Sequence, residues 1–175
     1  MTNKSNDGAC YNQLDVVNVR LVKEPSLISE KPVKSASDAA DLIQELMRGF
    51  DTEAFCILNL ANDGSPISMN IASIGTLNSA LVSPREVFKS SILSNSASFI
   101  AFHCHPSGNP RPSRDDAITT QRLKEAGEIL EIRLIDHIIV GCRSGRKYSF
   151  AAEGLLEGNT IEKYENMKNS IEWER

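Results

Sequence analysis

Several things are scarce in this sequence, and each shortage removes a class of protein. No apolar run approaches the roughly 20 residues that span a bilayer, and the opening MTNKSNDGACYNQ has no apolar stretch of the signal-peptide kind. A cytoplasmic protein with no membrane partner is the expectation. Nineteen lysines and arginines face 23 aspartates and glutamates, a net charge of -4. With no excess of positive charge to grip a phosphate backbone, direct nucleic-acid binding is not expected. The four cysteines, Cys10, Cys56, Cys104 and Cys142, form no C-x-x-C pair, so neither a zinc ribbon nor a dithiol redox motif is indicated. Cys56 and Cys142 sit in apolar segments as small buried hydrophobes, which suits a reducing compartment. Internal repeats and low-complexity blocks are absent.

What remains is an ordinary globular composition, 41% hydrophobic and 24% charged over 175 residues, enough for one domain with a real core. Residues 1–13 are expected as a flexible lead, 14–156 as the domain, and 157–175 as a charged tail. Leu14–Val22 (LDVVNVRLV) is rich in β-branched residues and predicts a first strand. Ala39, Leu42, Ile43, Leu46, Met47 and Phe50 recur at helical spacing, with Ser35 and Asp38 placed to cap that helix. Ala54–Ala61 predicts a strand buried on both faces. Asn62-Asp63-Gly64 predicts a turn, and Pro66–Ile74 the returning strand of a hairpin. Ser83–Leu93 predicts a helix opened by a serine and a proline. Ala97–Cys104 is the next buried strand.

A helix from about Arg114 to Gly127 follows, with Ile118, Leu123, Ala126 and Leu130 assigned to its inner side. Glu131–Val140 predicts a strand, with Arg146–Phe150 pairing near it. Interleaved strands and helices with one hairpin indicate an α/β protein with a mixed sheet flanked by helices. In the tail, Asn159 and Glu162 are spaced as a capping box, ahead of Ile161, Tyr164, Met167 and Ile171. Either a short helix docked on the body or on a second copy, or a frayed charged end, fits that pattern.

Two of the three histidines fall in His103-Cys104-His105 at the end of an apolar strand. Side chains at i and i+2 of a strand share a face, so both imidazoles converge while Cys104 points away. Pro106 ends the strand, and the loop after it is where reactive groups are usually displayed. Ser113 falls at the start of the next helix and Asp116 in its first turn. One reading of that pair is purely local: a capping serine and an aspartate favoured by the helix dipole. The other makes Asp116 a third ligand, giving two imidazoles, a carboxylate and an open position, the ligand set of a catalytic zinc. His137, mid-strand among isoleucines, is either a hydrogen-bonded core residue or a contact to this site.

The stretch HCHPSGNPRPSRDD resembles the JAMM motif of MPN/JAB-domain metalloproteases: His-x-His, seven residues, Ser, two residues, Asp. Here that selects His103, His105, Ser113 and Asp116, and it prefers Asp116 to Asp115. The sequence is more specifically similar to the RadC family, through GTLNSALVSPREVFK, FHCHPSGNPRPSRDD and TQRLKEAGEILEIRLIDHIIVG, and the likeness runs from about Leu14 to about Leu155. It implies a JAB/MPN-like (cytidine-deaminase-like) three-layer fold and a zinc-dependent hydrolase acting on a peptide or isopeptide bond of a peptide or protein substrate. His103, His105 and Asp116 would hold Zn2+. Glu53, ahead of the strand that follows the first helix, takes the place of the family's general base; Glu86 is its competitor but lies within a predicted helix. Ser113 would hydrogen-bond the oxyanion. Asn78 and Ser79 are polar groups on a loop that could face substrate, and Ser107 and Gly108 shape the turn after the histidines.

Cys104 stands where RadC relatives usually carry Asn, and it points away from the ion. No segment resembles the helix-hairpin-helix region of full-length RadC proteins, so a DNA-repair role is not expected of this chain. A non-catalytic MPN-type binding or scaffold module, with a link to DNA repair as the family name suggests, is the alternative to an enzyme. Inactive MPN modules typically lose metal ligands, and these residues are all present. A zinc nucleobase deaminase would need H-x-E and a later P-C-x-x-C, and neither occurs.

Overall fold

The computed structural model describes residues 18, 20–22, 34–75 and 82–172. Ser35 opens helix α1 (Ala36–Arg48) through the expected reciprocal cap. The Asp38 amide donates to the serine hydroxyl at 3.2 Å, and the Ser35 amide donates to the Asp38 carboxylate at 3.0 Å. The helix's apolar stripe buries Ala39, Ala40, Ile43 and Met47. Strands β1 (Ala54–Leu60) and β2 (Pro66–Ile74) then form an antiparallel hairpin. Its turn falls at Asn62-Asp63-Gly64, where Gly64 has φ 80° and Asp63 Oδ1 accepts from the Ser65 amide at 3.0 Å.

Helix α2 (Pro84–Leu93) leads to strand β3 (Ser98–His105). Helix α3 (Arg114–Leu130) leads to strand β4 (Arg133–Gly141), and short strand β5 (Lys147–Ser149) and helix α4 (Thr160–Glu172) follow. The five strands make one mixed sheet in the order β2-β1-β3-β4-β5. Only the β3–β4 pair is parallel; the others are antiparallel. A parallel pair needs a long crossover, and the 17 residues of α3 supply it.

The sheet has a helix layer on each face, so the architecture is the expected three-layer α/β one. Helix α1 covers one face, packing on Cys56, Leu58, Phe102, Cys104 and Val140. Helices α2 and α3 cover the other, over Phe55, Ile57, Phe99 and Ala101. With helices on both sides and strands at both edges, β1 is buried along its whole length. That burial would strand the polar Asn59 side chain. Its amide instead donates to Ser68 and Ser90, each at 3.2 Å, and its carbonyl accepts from Ser91 at 2.7 Å, tying the hairpin to α2.

Three expectations need correction. Of Leu14–Val22, only Asn18, Arg20, Leu21 and Val22 are described, and these lie in no strand; the rest falls outside the described residues. The inner side of α3 is Asp116, Ala117, Thr119, Thr120, Leu123 and Gly127, whereas Leu130 is 42% exposed and Ile118 only partly covered. The apolar residues misled because the true inner face carries three polar side chains, and Asp116 and Thr120 among them have partners of their own. Glu131 is not in a strand: it caps α3 in the left-handed conformation at φ 57°.

The tail is a helix, docked on the body. Asn159 Oδ1 accepts from the Glu162 amide at 3.0 Å at its start, and Tyr164 is buried with Ala117, Ile139, Phe150 and Leu155. No helix among the described residues is long and apolar enough to cross a membrane.

At the end of β4, Gly141 lies against the turn that follows the histidines. A Cβ there would collide with the Gly108 carbonyl oxygen and come within 2.6 Å of Ser144 Oγ. Both neighbours are held, since Ser144 Oγ donates to that same carbonyl at 2.6 Å. Gly141→Ala is therefore expected to cost roughly 1–3 kcal/mol in chemical denaturation, the scale of an overpacked interior; an unchanged midpoint would show that the turn has slack.

Candidate metal centre

Strand β3 delivers both imidazoles to the face covered by α2 and α3. The pleat sends His103 and His105 there and Cys104 to the α1 side, as the spacing predicted. His103 is buried beside the Phe55 ring, with ring centres 6.1 Å apart. His105 opens the turn into the loop, where Gly108 takes φ 80° and donates its amide to the His105 carbonyl at 3.0 Å. His105 Nδ1 lies 2.8 Å from the Asn109 carbonyl oxygen. A carbonyl only accepts, so Nδ1 carries the proton and Nε2 presents its lone pair.

That lone pair faces Asp116. Nε2 is 3.6 Å from Asp116 Oδ2, and His103 Nδ1 is 2.9 Å from Asp116 Oδ1. One ligand atom from each of the three residues lies within 4.8 Å of the other two. His103 Nε2 is buried with no hydrogen-bond partner, an arrangement that costs about 1–3 kcal/mol unless something binds there. Two imidazoles and a carboxylate, with lone pairs converging and one ring nitrogen unsatisfied, fit a cation.

Ser113 and Asp116 meet both readings of the sequence at once. The Asp116 amide donates to Ser113 Oγ at 3.1 Å, and the Ser113 amide donates to Asp116 Oδ2 at 2.7 Å, a complete capping box. The Ser113 hydroxyl also donates to Oδ2, at 2.6 Å. Burial alone would raise the Asp116 pKa, but the His103 and His105 imidazoles that face the carboxylate and the hydrogen bond from Ser113 outweigh it and hold the carboxyl well below the usual range. The His105 pKa is raised: burial opposes this, and Asp116, the Asn109 carbonyl and the charge of Glu53 overcome it.

Glu53 enters from β1. Ala54 pairs with Cys104 and Phe55 with His103, so one more step of that antiparallel register sets Glu53 across from His105. The Glu53 carbonyl accepts from the Gly75 amide at 2.8 Å, closing the open end of the hairpin. Glu53, His103, His105, Ser113 and Asp116 all line one cavity of about 310 Å³. Glu86 is elsewhere, in an exposed ion pair with Lys89. Ser107 is in the cavity wall and Gly108 in the turn behind it; Asn78 and Ser79 lie outside the described residues.

Two contacts of the surroundings were not specified by the sequence reading. The first is Thr120, one turn beyond Asp116 on the inner face of α3. Its hydroxyl lies 2.6 Å from both the Asp116 carbonyl oxygen and His137 Nδ1. His137 is thus both of the things weighed for it: a fully buried histidine stacked on Phe150 at 5.0 Å, and a link to the site through Thr120. The i+4 position of Thr120 on the Asp116 face was the available signal. The second is α4, which braces the turn ahead of α3. Tyr164 donates its hydroxyl to the Pro112 carbonyl at 3.3 Å, and Glu165 pairs with Arg114 at 2.8 Å.

Residues 33–155 match the family described as a RadC-like JAB domain. The chain belongs to the RadC family, within the JAB/MPN superfamily. It is similar to a UPF0758 protein of Shouchella clausii (48% identical over 123 residues, 70% of this chain and 53% of the relative). Similar likenesses hold for UPF0758 proteins of Desulforudis audaxviator (46% over 124 residues, 71% and 53%) and Methanosarcina mazei (40% over 136 residues, 78% and 57%). The chain therefore spans a little over half the length of these RadC relatives, whose names state no activity.

Burial, then the neighbouring charge of His103, depresses the His137 pKa from 6.5 to about 3. A depressed histidine favours the fold while neutral, so its contribution is whole above pH 6.5 and drains away as pH falls towards 3. In metal-free protein, the wild type is expected to lose about 1.4 kcal/mol per pH unit more than His137→Gln across that window. Urea titrations from pH 7 to pH 4 measure this, and parallel slopes would contradict a neutral buried His137.

Proposed function

We propose that this RadC-family chain is a zinc-dependent hydrolase that cleaves an amide bond, as a peptidase or isopeptidase acting on a peptide or protein. The observation that carries the reading is the convergence of His103, His105, Asp116 and Glu53 on one cavity. Membership of the JAB superfamily, some of whose members are metalloproteases, supports it.

His103, His105 and Asp116 are the residues that would hold the ion, and zinc so bound lowers the pKa of a ligated water from 15.7 towards about 7. A set of three nitrogen and carboxylate donors suits zinc better than magnesium, which asks for more oxygens. Asp116 is ionised under the hydrogen bonds it accepts, and the Asn109 carbonyl holds the His105 ring in the tautomer that presents Nε2.

Glu53 acts as general base, taking a proton from water in the cavity and returning it to the departing amine nitrogen. The Ser113 hydroxyl is the donor for the oxyanion that develops on the attacked carbonyl. At rest that hydroxyl is given to Asp116 Oδ2, so it must turn from the carboxylate to the oxyanion as charge develops. The Ser113 amide keeps its own bond to Oδ2 throughout, so the ligand stays in place while the hydroxyl moves. The buried free thiols of Cys56, Cys104 and Cys142 support a reducing, cytoplasmic setting.

Elemental analysis tests the metal and a peptide and isopeptide library tests the chemistry. Wild type and Glu53→Gln are expected to bind zinc alike, whereas His105→Ala falls below about half an equivalent because one of three ligands is gone. Turnover by Glu53→Gln should drop by about 10²–10⁴-fold, the usual contribution of a general base. Wild-type protein that takes up no zinc when supplied with it, or a fully active Glu53→Gln, would sink the reading.

A further inference from the structure

Asp116 reaches the histidines only while α3 keeps its rotation about its own axis. The Ser113 cap moves with the helix, so it cannot fix how α3 is rolled against the sheet. The apolar residues of the inner face, Ala117 and Leu123, fill space without direction. Thr120 does have direction. Its hydroxyl lies 2.6 Å from the Asp116 carbonyl oxygen and 2.6 Å from His137 Nδ1.

A hydroxyl has one proton to give. A carbonyl only accepts, and two oxygens this close with no proton between them would repel. Thr120 Oγ1 therefore donates to Asp116 and accepts from His137, and His137 Nδ1 carries the ring proton. A threonine bonded to the carbonyl four residues back is common in helices, but it needs no histidine. This histidine is fully buried and its Nε2 has no partner, so among the described residues the bond to Thr120 is the one hydrogen bond of its ring.

The ring is also held in place. It stacks on Phe150 at 5.0 Å and is flanked by Phe55 at 5.5 Å. Strand β4 is the parallel neighbour of β3, and His137 pairs with Ala101, two residues ahead of His103. Polar contacts thus tie α3 to adjacent strands from positions one turn apart, Asp116 to β3 and Thr120 to β4. Two such tethers fix a roll that one leaves free.

We propose that Thr120 is a positioning residue for Asp116: by accepting from His137 on β4 it fixes the roll of α3 and so the reach of the carboxylate into the metal cluster. The inference rests on the cluster holding zinc and is independent of hydrolysis.

Zinc affinity of the whole folded chain, measured by competition with a chromophoric chelator, tests it. Thr120→Val keeps the shape and removes the hydroxyl, and is expected to bind zinc about 10–100-fold more weakly, the usual effect of losing a group that orients a ligand. Thr120→Ser keeps the hydroxyl and should restore most of the affinity. Leu123→Val loosens the same face without touching a polar contact; it should lower the urea midpoint and leave zinc affinity unchanged. His137→Leu removes the tie from its other end, so combining it with Thr120→Val should weaken zinc no further than either alone. In metal-free wild type, nitrogen-15 NMR should find the His137 proton on Nδ1.

Wild-type affinity in Thr120→Val, an equal loss in Leu123→Val, additive losses in the double variant, or a proton on His137 Nε2 overturns the assignment. Should Thr120→Val not fold, His137→Leu against Leu123→Val makes the same comparison. Wild type that takes up no zinc overturns this inference and the proposed function together. Weakened zinc binding in Thr120→Val, with no peptide cleaved by wild type, leaves the positioning role standing and removes only the hydrolase.

Discussion

The Asp116 carboxylate is the constraint on which this structure turns. One oxygen faces His103, and the other accepts both the amide and the hydroxyl of Ser113 while also facing His105. A single side chain thus starts a 17-residue helix and joins it to the end of the strand carrying the histidines. The helix start and the ligand cluster cannot be assembled separately. Whatever holds the first turn of α3 holds the cluster, which is why the distant α4 matters: through Tyr164 and Glu165 it grips Pro112 and Arg114 on either side of Ser113. Preorganisation of this kind would place the three donor groups before any ion arrived.

Much of this was legible in the residues, for identifiable reasons. A His-x-His pair at a strand end states its geometry through a period of two, and Ser113-x-x-Asp116 states its own through the reciprocal bonds of a helix start. Both are local rules that tertiary packing had little chance to overrule. The hairpin was equally plain, because Asn62-Asp63-Gly64 permits little else. What failed was the inner face of α3, where apolar periodicity was the wrong guide: Asp116 and Thr120 face inward because each meets a partner from β3 or β4. Partners brought by other strands leave no trace in a helix's own pattern. Glu131 was misread for a related reason, since an aliphatic run on both sides hid a left-handed cap.

Family membership and site geometry answer different questions. The match over residues 33–155 shows the family, whereas activity has to be argued from the residues themselves, because one fold serves many functions. The chain aligns with 53–57% of each of the three relatives compared, so properties of their whole length are not carried over to it. The features that give this site its own character are local ones. They are the carbonyl of Asn109 behind His105 and the Thr120–His137 link behind Asp116.

The pleat of β3 has one more effect, on the elemental preference of the site. Cys104 stands between the two histidines, and in a looser chain its sulfur would be the strongest donor at hand. Here it is turned to the opposite layer, donating to the Thr52 carbonyl at 3.3 Å, and burial pushes its thiol pKa well up, as it pushes that of nearby Cys56 up to about 12. A protonated thiol beneath a different helix cannot close the coordination shell. Backbone alternation thereby works as a chemical filter: any ion held there would meet imidazole and carboxylate, with soft sulfur kept on the other side of the sheet.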